Sequence, residues 1–216
     1  MDRGVNVLRT SATWLLAAAC ALMASLALAQ EAAPDALIKR ITSEVLAAVK
    51  SDKAIQAGDA SKLGALVERR ILPHFDFRRA TRIALGLNWR RATPEQKERL
   101  VLAFRSLLLR TYSGALAAAR DETVEFVPLR VRPGDDEVTV RSRVRQPGAE
   151  PVEIAYDMER SSSGWKVFDV RVGGVSLVAT YRTSFAAQVR ANGIEGLILR
   201  LERKSGAATK HVFVRS

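Results

Sequence analysis

The residue pattern predicts an α+β domain in which a curved four-stranded antiparallel sheet is covered by amphipathic helices. Three observations lead there. Apolar residues recur at helical spacing from Pro34 to about Arg120, the period drops to two between Val124 and Val172, and helical spacing returns beyond Gly173-Gly174.

The helical part comes first. Leu37, Ile41, Val45 and Val49 recur every four residues with Ile38 and Leu46 beside them, and Gly58-Asp59 interrupts the chain. A second helix is expected over about Lys62 to Ile71, stopped by Pro73. Phe75-Asp76-Phe77 restarts a third, which ends at Leu85-Gly86. Thr93-Pro94-Glu95-Gln96 is the sharpest local signal: an N-cap hydroxyl, a proline at the first helical position and a glutamine that closes a capping box. The long helix behind it has Leu100, Phe104, Leu107, Leu108 and Leu116 on one stripe, flanked by Val101 and Tyr112.

Val124, Phe126 and Pro128 open the alternating part. After Pro133-Gly134-Asp135, Val138, Val140, Ser142 and Val144 alternate with Thr139, Arg141, Arg143 and Arg145. After Gln146-Pro147-Gly148, Val152, Ile154, Tyr156 and Met158 alternate with Glu153, Ala155, Asp157 and Glu159. A fourth strand holds Trp165, Val167, Val170 and Val172. The polar faces match in a register that sets Arg145 opposite Glu153 and Arg141 opposite Asp157. Gly173-Gly174 is expected to end the sheet, and Ser176 to cap a helix carrying Leu177, Val178, Tyr181, Phe185 and Val189. Gly193 ends that helix, a last one holds Leu197, Ile198 and Leu201, and Ser205 to Ser216 reads as a loose tail.

The N-terminus reads as an export leader. A weakly positive start, an uncharged apolar run from Trp14 to Leu28 and Ala27-Leu28-Ala29 before Gln30 give the order of a signal peptide spanning residues 1–29. The run is shorter than the roughly 20 residues a spanning helix needs. Leu16-Ala17-Ala18-Ala19-Cys20 loosely resembles a lipoprotein signal, but the apolar run continues past Cys20, which favours cysteine as filler in the leader. The mature domain, residues 30–204 plus the tail, then has no cysteine and therefore no disulfide or thiolate. It keeps 32 basic and 22 acidic residues of the 34 and 23 in the whole chain. Such a balance calls for an acidic partner. Export and the lack of aromatic interleaving argue against nucleic acid, leaving lipid headgroups or an acidic protein face.

Catalytic constellations are weak. His74 and His211 are the two histidines, far apart in sequence. Gly174-Val175-Ser176 approaches a nucleophile elbow, but Val178 stands where the last glycine belongs. Gly173-Gly174 suits a turn better than a phosphate loop, and Glu153 with Asp157 suits cross-strand pairing. The expectation is a binding protein rather than an enzyme, with no metal and no cofactor.

Spread through residues 75–197 are blocks that together carry a resemblance: Phe75-Asp76-Phe77 with Leu85-Gly86 and Trp89-Arg90; Thr93-Pro94-Glu95-Gln96 into Phe104-Arg105 and Leu107-Leu108, with Thr111-Tyr112; a looser Val138-Thr139-Val140-Arg141-Ser142; Gly164-Trp165-Lys166-Val167-Phe168-Asp169-Val170; Gly174-Val175-Ser176-Leu177; Tyr181-Arg182 with Phe185; and Gly193-Ile194 with Gly196-Leu197. In this order they resemble the MlaC family, the toluene-tolerance auxiliary proteins that bind phospholipid in the periplasm. The resemblance implies an NTF2-like cone whose sheet and helices enclose an apolar pocket, with phospholipid as cargo. It also implies an outer-membrane lipoprotein–porin complex and an inner-membrane ABC transporter with an MCE-domain ring as partners of a monomeric shuttle. Leu108, Tyr112, Val140, Val144, Ile154, Tyr156, Val170, Val175 and Tyr181 are the candidate lining, each of which also suits plain core. Arg182 is the candidate headgroup contact, because a guanidinium suits phosphate; a surface salt bridge is its other reading. The alternatives are a periplasmic carrier or chaperone for another hydrophobic ligand or a lipoprotein, and an enzyme in a similar cone, for which Tyr156 and Ser142 are the inward polar positions.

Intact-mass analysis of the exported protein should show a chain beginning at Gln30. A diacylated N-terminal Cys20 would instead make this an anchored lipoprotein.

Overall fold

The computed structural model describes residues 33–119 and 122–205. The expected leader, the expected cut after Ala29, Cys20 and the chain beyond Ser205 lie outside the described residues. In chain order the helices are α1 (Pro34–Ser51), α2 (Lys53–Gln56), α3 (Ala60–Arg70), α4 (Phe77–Leu85) and α5 (Pro94–Ala118). The strands are β1 (Thr123–Phe126), β2 (Glu137–Arg145), β3 (Val152–Ser161), β4 (Gly164–Val172) and β5 (Val175–Ser176), and α6 (Arg182–Ser205) follows.

Aspartates set the helix starts that sequence spacing places less well. Asp52 accepts from the amides of Ala54 and Ile55, so the stretch before Gly58 winds into the short α2. Asp59 accepts from Ser61 and Lys62, so α3 begins at Ala60 and not Lys62. Asp76 caps α4 through the Arg79 amide at 2.8 Å. At α5 the capping box forms: the Gln96 amide donates to Thr93 Oγ1 and the Thr93 amide to Gln96 Oε1. In α6 the backbone breaks at Gly193 (φ 67°, ψ 179°), where two successive helices are predicted.

The sheet is a meander in the order β1-β2-β3-β4-β5, antiparallel throughout. Its fifth strand corrects the prediction of four. Gly173 and Gly174 both have positive φ, which makes them a two-residue hairpin turn, so the chain folds back and pairs Val175 with Val172. Ser176 therefore lies in β5. Its Oγ accepts from the Ala179 amide at 2.8 Å, but the 3₁₀ turn Ala179–Tyr181 has Val178 at its N-cap position, and α6 starts only at Arg182, so Ser176 is not the helix cap the sequence predicts.

The register of the second hairpin is also corrected, by two residues. Arg143 stands opposite Glu153, and Thr139 opposite Asp157. A slip of two leaves every side chain on its predicted face. It redistributes the ion pairs: Arg145 turns to Glu125 of β1 at 3.0 Å, and Arg141 reaches Glu153 diagonally at 3.8 Å. β1 covers the end of β2 from its other edge, pairing Thr123 with Arg145, one residue beyond the last β2–β3 pair of Val144 with Val152.

Hydrophobic packing divides into two clusters. In the first, the apolar sheet face (Val140, Met158, Trp165, Val167) packs on α1 through Leu37, Ile41, Val45 and Val49, and on α3 through Leu63, Leu66 and Val67. The second is helical, with Ala84 and Leu85 of α4, Leu100 and Phe104 of α5, and Phe185, Val189, Leu197 and Ile198 of α6. α5 serves both: Leu109 and Leu116 pack on the first, Leu107 and Leu108 on the second.

A polar clamp on the other face ties α4 to the sheet. Glu137 and Glu159 stand directly opposite each other, an unfavourable like-charge pair. Arg79 lies between them and pairs with both carboxylates, its guanidinium carbon 3.6 Å from the centre of the Phe168 ring. Phe168 takes part because a bulge, with Met158 facing Val167 and Asp157 facing Asp169, leaves it without a partner on β3. Arg79→Met should destabilise the protein by about 2 kcal/mol, less than the roughly 3–5 kcal/mol for breaking a fully buried pair. Adding Glu137→Gln and Glu159→Gln to that variant should restore much of the melting temperature. A triple variant that melts no higher than Arg79→Met would show that the like-charge repulsion is not what Arg79 relieves.

Candidate functional site

The candidate residues fall into a sheet group and a helix group. On the sheet, Val140, Tyr156 and Val170 line up across β2, β3 and β4. Val140 is fully buried in the first core beneath α1. Burial of the Tyr156 phenol pushes its pKa up, and Ser142 Oγ nearby on the same face is buried without a hydrogen-bond partner among the described residues. One step along, Ser142, Ile154 and Val172 form the next row, and Val144 faces Val152. Cover thins in that direction. Ser142 is fully buried, Ile154 and Val144 are half-buried, and Val172, Val152 and Val175 are 37%, 41% and 56% exposed. The apolar face thus emerges from under α1 at this end, and β5 extends it with an exposed valine.

The helix group sits on α5 and the turn before α6. Phe104 packs edge-on against Tyr181 at 5.2 Å and Phe185 at 5.3 Å. Leu108 and Tyr112 follow Phe104 at successive helical turns and are half-buried. The Tyr112 phenol is pushed up to about 12, first by burial and then by the neighbouring Tyr181. Arg182 is exposed; its Nε donates to the Ile83 carbonyl at 3.1 Å, so the predicted headgroup contact is braced against the end of α4.

Sequence reasoning missed the residue that joins the two groups. Asp169, next to Val170 on β4, is 7% exposed. It accepts from the Ser176 hydroxyl and from the Val178 amide, fixing the turn that presents Tyr181. Its charge also reaches Tyr112. The available signal was an acid inside an otherwise apolar strand, Val167-Phe168-Asp169-Val170. Leu109 was missed as well: the run Leu107-Leu108-Leu109 is broader than one helical stripe requires.

α5 carries the site's most unusual surface. It is long and apolar enough to cross a membrane by length and composition, yet only 17% of its most apolar window is buried. Leu107, Leu108, Leu109, Tyr112 and Leu116 are all half-buried. A separate groove of about 480 Å³ lies on α6, lined by Asn192, Gly196, Leu199 and Arg203 among others, and contains none of the candidate lining residues.

The model of the MlaC protein family matches residues 39–203. The chain belongs to the MlaC family. Among solved structures, this MlaC-family chain is similar to the phospholipid-binding protein from Ralstonia solanacearum in complex with a phospholipid. Identity is 40%, the TM-score is 0.75, and the match covers 82% of this chain and 98% of that one. It is also similar to the intermembrane phospholipid transport system binding protein MlaC of Haemophilus influenzae, 20% identical over 81% of this chain and 83% of the relative. Toluene tolerance protein ttg2D of Pseudomonas putida is 24% identical over 74% of each chain.

Burial, above all, raises the Asp169 carboxyl above its usual value, against the hydrogen bonds from Ser176 and Val178. A carboxyl whose folded pKa exceeds its unfolded one stabilises the fold at low pH, and that contribution is lost as pH rises through the folded pKa. Asp169→Asn keeps an acceptor for Val178 and removes the titration. The melting temperature of Asp169→Asn relative to wild type should therefore fall as pH is lowered from neutral to about 4. A pH-independent difference would mean that Asp169 has the same pKa folded and unfolded.

Proposed function

We propose that this protein is a periplasmic phospholipid carrier that shuttles lipid between membranes without catalysing a reaction. Its acyl chains lie against the half-buried apolar surface shared by the second half of α5 and the uncovered end of the sheet. Leu108, Tyr112 and Tyr181 form the helical wall in this reading, and Val144, Ile154, Tyr156, Val170 and Val175 the sheet wall, with Val140 behind them. The observation that carries the reading is the partly uncovered α5 in a chain 40% identical to a phospholipid complex. Contiguous apolar surface left half-covered on a folded domain is the kind that ligand-binding grooves present.

The physical need for a carrier is large. Two acyl chains of about sixteen carbons, at roughly 0.8 kcal/mol per methylene, resist transfer through water by about 25 kcal/mol. A wall as apolar as the bilayer removes that barrier and leaves the exchange near neutral, so direction comes from partners. The proposed partners are an outer-membrane lipoprotein–porin complex and an inner-membrane ABC transporter with an MCE-domain ring. The basic balance of the mature chain suits docking on acidic faces.

Organic extraction and mass spectrometry of the purified protein should recover glycerophospholipid at fixed stoichiometry. Ile154→Trp separates wall from core. Ile154 is half-buried, so an indole there should change the melting of delipidated protein little while lowering lipid content and lipid-induced stabilisation together. Early melting, by roughly 1–3 kcal/mol, with normal lipid loading would place Ile154 in the core and retire the sheet wall.

A further inference from the structure

The turn between α4 and α5 presents a leucine that the carrier reading does not use. The 3₁₀ turn Gly86–Arg91 is pinned at both ends, by Leu85 at 2% exposure and Ala92 at 5%. Between them Leu87 is 81% exposed, the highest value among the exposed large hydrophobic side chains. Gly86 has φ 57°, a conformation that favours glycine, and the leucines on either side of it differ in burial, Leu85 buried and Leu87 exposed. A Cβ at Gly86 would stand 3.8 Å from Arg182 Cδ, and Arg182 Nε holds the Ile83 carbonyl. Leu87 is thus held in water by a braced frame.

The surroundings are cationic. From Arg78 to Lys97 the chain has six basic residues and one acid, Glu95. Arg79 is committed to Glu137 and Glu159, and Arg78 to Glu98. Arg82, Arg90 and Arg91 are exposed and make no ion pair among the described residues. Trp89 is half-buried, with Arg78 and Lys97 each 5.5 Å from its ring centre. An apolar tip, a partly buried tryptophan and unneutralised arginines are the chemistry of contact with an anionic bilayer surface.

We infer that the Gly86–Arg91 turn is a membrane-contact element: Leu87 enters the interface of an anionic phospholipid bilayer while Arg82, Arg90 and Arg91 meet lipid phosphates. Charge and exposure favour a bilayer over a protein face: a single leucine, 81% exposed, stands in a stretch with three exposed arginines that make no ion pair among the described residues, which suits a soft surface of diffuse negative charge. The inference goes beyond the carrier reading and stands without it, since contact with the bilayer does not require that the bound cargo be identified.

The test is equilibrium sedimentation of lipid-loaded, exported protein with phosphatidylcholine vesicles, with and without phosphatidylglycerol. Wild type should bind the phosphatidylglycerol vesicles and release with salt. Leu87→Asp, at a position that packs on no core, should melt normally and bind about tenfold more weakly or less. Leu87→Ser should act in the same direction, Arg90→Glu with Arg91→Glu should remove the salt-sensitive part, and Leu199→Asp on α6 should bind as wild type does. Wild type that ignores anionic vesicles, or Leu87→Asp that binds them normally, would overturn the inference. Normal vesicle binding by Leu87→Asp together with slower delivery to a purified protein acceptor would assign the turn to a protein partner. Failure of the lipid extraction would remove the carrier reading and leave the vesicle result standing.

Discussion

One helix has to satisfy two hydrophobic cores, and much of the architecture follows from that constraint. An α-helix buries one stripe well, because side chains three and four residues apart share a face. α5 spends its first half on the helical cluster through Leu100, Ala103 and Phe104, which are buried. Its second half is split: Leu107 and Leu108 lean on that cluster, while Leu109 and Leu116 lean on the sheet core. Neither contact closes over the helix, so the second half stays half-buried on several sides. In most domains this would be poor packing. Here it leaves a long, half-buried apolar surface between two well-formed cores.

Polar contacts on the opposite sheet face keep those two cores in place. Two like-charged cross-strand pairs arise there, Glu137 with Glu159 and Asp157 with Asp169, and each is relieved by further groups. Arg79 neutralises the facing Glu137 and Glu159 and anchors α4. Asp157 faces Asp169 and is held by Thr139 and Arg171, each at 2.7 Å. Asp169 is held by Ser176 and the Val178 amide, which fixes the strand-to-helix turn. The arginines of β2 meanwhile find Glu125 and Glu153 at the surface. Much of the sheet's charge is spent on structure, and the unpaired cations of the α4–α5 turn stand apart from it.

The local elements were legible because their causes are local. The capping box at Thr93, the period-two alternation of β2 and β3, and the helix break at Gly193 depend on residues within a few positions of one another. Departures appeared where a distant or subtle contact intervened. Aspartate caps moved the start of α3 and created α2. The Gly173-Gly174 pair carried a hairpin signal, but two residues of following strand are too few to show alternation. The β2–β3 register differs by two, a slip that keeps every side chain on its face and so leaves no trace in the alternation.

The sequence by itself determined the long helices and the four main strands, which side of each strand is apolar and, through blocks spread over residues 75–197, the family. Those properties are fixed by side-chain chemistry and by periods of 2 and 3.6, and a two-residue slip does not disturb them. Only the tertiary structure decided which apolar positions are core and which are uncovered. Val140 and Ile154 occupy equivalent alternating positions, yet one lies sealed under α1 and the other beside exposed Val172. Burial is a property of what packs on top, and the ends of α1 and α5 over the sheet are set by contacts hundreds of atoms away along the chain.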